Sequence, residues 1–172
     1  PVQQAIREVR AGKFGKLLRM RARPKDDSRG GGEELLLHGT HFFDLMMALA
    51  GEPRWASGHI SVGGRDATKA DVRQGNTPVG PIIGDSISAM FGFDNGVRGF
   101  FESTADLAVA DSPSGLDGKN LFGLSLECEW ASLELREPGD VYIYPAPRVL
   151  PDLQNLKWEK VWIQEWHDLP EE

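Results

Sequence analysis

Three ionisable side chains, His38, His41 and Asp44, recur at intervals of three within a largely apolar helix pattern, in a stretch that runs from Gly30 to Gly51. A hydrophobic helix that keeps such groups either satisfies them internally or points them into a site. At about 100° per residue the three fan over roughly 120°, so they occupy adjoining faces rather than one line. The spacing permits a metal held by two helical ligands and a third group without demanding it, and no metal is expected. His41 and Asp44, three residues apart, suit an imidazole oriented or charged by a carboxylate, as in a general acid/base near neutral pH. The structural alternative is a buried histidine hydrogen-bonded to backbone. Arg23 and Lys25, just ahead of the glycine-rich loop, are the candidate substrate contacts.

The element that must position these groups is read as a single helix. Leu35, Phe42, Leu45, Met46 and Leu49 fall near one stripe, Leu36, Phe43 and Met47 widen it, and Gly51 closes it. Such a helix is expected to be buried on most of its circumference. Gly30-Gly31-Gly32 lacks the spacing of a dinucleotide-binding or Walker A loop and reads as loop chemistry. Ahead of it, Val2, Ala5, Ile6 and Val9 mark a first helix, ended by Gly12 and Gly15. Lys16 to Arg23 then alternates, with Leu18, Met20 and Ala22 on one face and Arg19, Arg21 and Arg23 on the other.

Beyond the central helix, Trp55 to Val62 reads as a strand and Gly63 to Gly84 as a long excursion without a period. Ser86 to Phe93 and Val97 to Ser103 form the clearest hairpin, turned by Asp94-Asn95-Gly96. After a loop from Thr104 to Lys119, strands are expected at Leu121 to Glu127, Ala131 to Glu137 and Val141 to Tyr144. Lys157 to Trp166 also alternates and places Trp158, Trp162 and Trp166 on one side. Helices followed by a run of strands give an α+β fold: an open, mostly antiparallel sheet with helices packed on one face. The tryptophan-bearing face either meets a second copy of the chain or packs under a loop or a further segment.

Composition narrows the partners. With 172 residues the chain is one domain, residues 1–172, and its 40% hydrophobic content is that of a globular protein. A net charge of -7 argues against a nucleic-acid partner, because a phosphate backbone needs a basic face. The single cysteine, Cys128, excludes an internal disulfide and a cysteine-rich metal site, and no apolar run is long enough to suggest a membrane span. A cytoplasmic location is the default expectation. There is no Gly-x-Ser-x-Gly elbow. Pro1 stands directly before a helix pattern, and Leu169-Pro170-Glu171-Glu172 follows a strand-like segment, so a fragment of a longer protein is expected.

The stretch Gly-Gly-Gly-x-x-Leu-x-x-x-Gly-x-His-x-x-Asp-Leu, ending in Leu-Ala-Gly-Glu-Pro, resembles the C-terminal domain of the glucose–fructose oxidoreductase/inositol dehydrogenase (Gfo/Idh/MocA) family. Arg10 to Lys16 with the strand after it, and Asp85 through the Asp94-Asn95-Gly96 hairpin to Gly99, extend the resemblance over roughly residues 1 to 145. It implies a two-domain enzyme whose N-terminal Rossmann domain, not present here, holds NAD or NADP. The C-terminal domain then supplies a small-molecule substrate pocket and a homo-oligomer interface, dimer or tetramer, through its open sheet. Members typically oxidise or reduce a carbinol or carbonyl carbon of sugars and cyclitols, and some relatives use NAD to cleave glycosidic bonds. The family histidine, matched by His41, implies an acid/base acting on the substrate hydroxyl. Many members carry an aspartate four residues before that histidine. This chain has Leu37 there, which leaves His38, Asp44 or Glu34 to replace it, or leaves a non-catalytic dimerisation module.

Overall fold

A computed structural model describes residues 1–25, 27–106, 122–136, 139–145 and 159–162, with backbone alone for 145 and 159–162. Helix α1 spans Val2–Arg10, strand β1 Leu17–Arg23, α2 Gly32–Leu37 and α3 Gly39–Ala50. Strand β2 (Pro53–Val62) follows. The segment after it holds β3 (Arg65–Asp66), a 3₁₀ turn at Lys69–Asp71, β4 (Arg73–Gln74) and β5 (Pro81–Ile82). The remaining strands are β6 (Ser86–Phe93), β7 (Arg98–Thr104), β8 (Gly123–Cys128), β9 (Ala131–Arg136), β10 (Asp140–Pro145) and β11 (Glu159–Trp162).

Nine strands form one open sheet in the order β11-β10-β9-β8-β1-β7-β6-β2-β3, and β4 pairs with β5 apart from it. Every pairing in the large sheet is antiparallel except β1 with β7, which run parallel with Met20 opposite Gly99 and Ala22 opposite Phe101. The expected α+β architecture is therefore present. The parallel join arises because β1 inserts between β7 and β8, so those two consecutive strands are not neighbours. The β6–β7 turn closes by Gly96 N–H to Phe93 O (3.0 Å) and Phe93 N–H to Val97 O (3.1 Å). Gly96 takes φ 83°, a conformation glycine adopts freely.

One face of the sheet makes the core. Met20 and Ala22 of β1, Phe101 of β7, Leu124 and Leu126 of β8 and Leu133 and Leu135 of β9 are buried against Ala5 and Val9 of α1 and Phe42 and Met46 of α3. Period-two alternation sends their neighbours, Arg19, Arg21, Ser125, Glu127 and Glu134, to the opposite face. There Arg19 meets Glu127 at 3.5 Å and Arg21 meets Glu102 at 4.0 Å, exposed pairs of small energetic weight. Burying a side chain such as Phe101 stabilises by roughly 1.5–3 kcal/mol, so the apolar face rather than these pairs holds the fold.

Three sequence expectations change. Leu18 does not face the core with Met20: the β1–β8 register shifts between Leu17 and Arg19, and Leu18 is left exposed. The central helix is two helices, α2 and α3, which meet at His38. It is also not buried on most of its circumference, since Leu36 and Met47 are exposed while Glu33 and Glu34 are fully buried. Of the tryptophan stripe, Trp158 and Trp166 lie outside the described residues, as does the side chain of Trp162.

Candidate active site

The glycine run sets the position of α2. Gly31, at φ 78°, donates its N–H to the Ser103 hydroxyl (2.9 Å), and Gly32 donates to Gly84 O (3.2 Å). A Cβ on Gly30 would lie 2.2 Å from Ala105 N, and one on Gly32 would lie 2.1 Å from Ile83 O. The run thus threads between two backbone segments, and only glycine fits so close an approach. Threading it there sinks the first turn of α2 beneath the 63–84 segment and buries the two glutamates that follow.

Glu33 spends its carboxylate on that segment. It accepts from Asn76 N–H (2.9 Å), Thr77 N–H (2.7 Å) and the Thr77 hydroxyl (2.8 Å). Burial pushes its carboxyl up, but these donors and the charge of Arg73 outweigh burial and hold it below the usual carboxylate range.

Glu34 points the other way along α2. Its Oε2 lies 2.6 Å from His38 Nδ1, and its Oε1 is buried without a hydrogen-bond partner, 4.0 Å from the Arg29 guanidinium. Burial pushes the Glu34 carboxyl up, against the opposing pull of His38 and Arg29. The contact follows from helix geometry. His38 N–H still bonds to Glu34 O (3.1 Å), so the i, i+4 stacking of α2 continues to its last residue. Arg29 is itself clamped by Asp27, with Nε to Oδ1 at 3.1 Å and Nη2 to Oδ2 at 2.5 Å, which holds the Asp27 carboxyl low.

The His38 ring stands nearly perpendicular to the Phe122 ring at 5.2 Å between centroids, Phe42 meets Phe122 at 5.5 Å, and the Lys25 ammonium lies 5.1 Å over the Phe122 ring. His38 and His41 both line a largely apolar cleft of about 280 Å³, with Phe42, Leu45, Phe122 and Leu135 among its other walls. Arg23 stands opposite Gly123, another lining residue, across the β1–β8 register. The structure therefore brings His38 and His41 together at the cleft and Lys25 onto Phe122 beside it, while Arg23, in phase with Arg19 and Arg21 on β1, does not line it. Asp44 is exposed and does not line the cleft. Among the described residues, neither Asp44 nor His41 makes a side-chain hydrogen bond, and the carboxylate that meets a cleft histidine is Glu34, while away from the cleft exposed His59 meets Asp66 at 2.8 Å. Sequence reasoning set Asp44 beside His41 and missed the cleft pair, which the i, i+4 spacing of Glu34 and His38 could have found; nothing local marked Phe122 or the Asp27–Arg29 clamp. No group of three or more ligand-type side chains is arranged to hold a metal among the described residues.

No family model matches the chain, and no curated protein matches it in sequence. Solved structures do share its fold. One is an oxidoreductase from Agrobacterium radiobacter in complex with NAD+, L-tartaric acid and magnesium, at 11% identity and TM-score 0.55, over 95% of this chain and 43% of that one. Levoglucosan dehydrogenase in complex with NADH and levoglucosan is 18% identical with TM-score 0.56, over 92% and 43% of the two chains. UDP-N-acetylglucosamine 3-dehydrogenase from Acidithiobacillus ferrooxidans is 16% identical with TM-score 0.51, over 94% and 45%. At these identities the likeness establishes a fold, and the chain spans less than half the length of each of these proteins.

Proposed function

We propose that this chain is the substrate-binding and oligomerisation domain of an NAD(P)-dependent oxidoreductase of the Gfo/Idh/MocA family, acting on the CH–OH group of sugars, cyclitols or related small molecules. The observation that carries the reading is the placement of both histidines of the glycine-to-histidine segment at one cleft, within a fold shared with NAD-binding oxidoreductases over nearly the whole chain. The glycine run is no seat for the dinucleotide, because it is filled by the backbones of Ile83 and Ala105. We assign that cofactor, the hydride acceptor when bound, mainly to a further domain, as the family resemblance implies.

What the chain supplies is a place for the alcohol and an acceptor for its proton. Phe42, Phe122 and Leu135 give the carbon skeleton apolar walls. Lys25 and Arg23 sit at the strand end, where hydroxyl-rich substrates need donors, and His38 and His41 present imidazoles to the reacting hydroxyl. The open sheet face, with its Arg19, Arg21, Glu102 and Glu127 charges, is the surface we assign to a second copy of the chain, as a dimer or tetramer. Leu37, standing where many relatives have an aspartate, favours a second reading: a dimerisation module that has lost catalysis.

The full-length gene product, screened for nicotinamide reduction on sugars and cyclitols, separates the two. Turnover in the parent, with kcat/KM lowered by His41→Asn at unchanged cofactor affinity, supports the oxidoreductase. Cofactor binding without turnover on any alcohol overturns it in favour of the module or of NAD-dependent glycoside cleavage. The isolated chain is expected to bind no NAD(P) and to sediment as a dimer or larger, and a monodisperse monomer refutes the interface.

A further inference from the structure

We infer that the proton-transferring group of the cleft is His38, held by Glu34 as its positioning residue, and that His41 is a binding contact. This rests on the oxidoreductase reading above. Two histidines line the cleft, and their surroundings differ. His41 is exposed and, among the described residues, has no side-chain hydrogen bond. His38 has its side chain 26% exposed and its Nδ1 2.6 Å from a carboxylate with no exposed surface.

A buried carboxylate at Nδ1 fixes the neutral tautomer. Nδ1 carries the hydrogen and donates it to Glu34 Oε2, so Nε2 keeps its lone pair as the other ring nitrogen of a cleft-lining residue. In the oxidation direction the substrate O–H bond breaks, its proton forms the Nε2–H bond of an imidazolium, and the electron pair stays on oxygen. The Glu34 charge faces that imidazolium at contact distance. Arg29, 4.0 Å from the otherwise unpartnered Oε1 and clamped by Asp27, steadies the carboxylate from behind. The Phe122 ring, nearly perpendicular to the imidazole at 5.2 Å between centroids, packs against it. Among the described residues, nothing comparable orients His41.

Two measurements test the assignment. Long-range proton–nitrogen NMR of the imidazoles in this chain should show neutral His38 as the Nδ1–H tautomer, and Glu34→Gln should abolish that preference while the remaining spectrum stays native. In the full-length protein, on an alcohol that the parent turns over, His38→Gln and Glu34→Gln should each lower kcat by roughly 10² or more with KM within about threefold. His41→Asn should instead raise KM with kcat largely kept. A parent His38 in the Nε2–H form, or a kcat collapse confined to His41→Asn, overturns the inference and leaves the oxidoreductase reading standing. A parent with no turnover on any alcohol overturns both.

Discussion

Glu33→Gln keeps the size of the side chain and removes its charge, and the hydrogen bonds around it set the expected loss. The Glu33 carboxylate accepts three donors, two from Thr77 on one oxygen and the Asn76 N–H on the other. An amide can keep the Thr77 pair on its carbonyl oxygen but must turn its NH₂ toward the Asn76 N–H, donor against donor. Hydrogen bonds to a charged group contribute about 1.5–3 kcal/mol each and neutral ones about 1 kcal/mol. At the low end of that range, one lost bond and two weakened ones come to about 2.5 kcal/mol. Glu33 is roofed by the 75–77 backbone rather than sunk in the sheet core, and Asn76 is exposed, so water recovers part and about 2 kcal/mol remains. For a domain of this size that lowers Tm by about 4–8 °C, read by far-ultraviolet circular dichroism at pH 7. Acid fixes the sign independently. Because the folded carboxyl is held below its ordinary value of 4.5, its contribution is complete above that value and is lost as pH falls through the folded one. The gap between parent and variant should therefore close on acidification below 4.5. Equal melting at pH 7, or a gap that widens in acid, refutes the assignment of Glu33 as the anchor of the 63–84 segment.

Glu34→Gln should behave oppositely. Burial raises this carboxyl above 4.5, so the parent loses stability as pH rises from 4.5 through the folded value, and the variant should melt at or above the parent at pH 7; a variant markedly less stable there contradicts the argument. Gly32→Ala places a methyl 2.1 Å from Ile83 O, a backbone atom that cannot step aside, and should lower stability by about 1–3 kcal/mol; a parental denaturation midpoint refutes the close packing. Cys128 is buried, and burial together with Glu129 pushes its thiol up to about 11. A chromogenic disulfide reagent at pH 8 should therefore react with it only at the rate of unfolding, and prompt reaction in native buffer removes Cys128 from the core.

The sequence by itself determined whatever depends on neighbours a few residues apart. Alternation placed Leu124, Leu126 and Cys128, then Ala131, Leu133 and Leu135, on one face, because a strand's period of two is local. Asp94-Asn95-Gly96 marked its turn through glycine's freedom at positive φ. The helical spacing of Glu34 and His38 already allowed their contact, and the glycine-to-histidine segment pointed to the fold class and to the histidines. Tertiary structure alone decided the rest. The parallel join of β1 to β7 pairs residues about 80 positions apart, with Arg19 opposite Arg98, and no local pattern specifies that partner. The break at His38, the exposure of Leu36 and Met47 and the burial of Glu33 and Glu34 reverse what hydrophobicity implies. They follow from backbones at 83–85 and 104–105 that enclose the glycines and from donors at Asn76 and Thr77 that satisfy a carboxylate. Phe122, which packs on His38 and Phe42, stands just before β8, which pairs with β1 100 residues or more away in sequence. A side chain's apolar pattern reports its preference for burial, but whether a charged one can be buried depends on donors that only the folded chain brings to it.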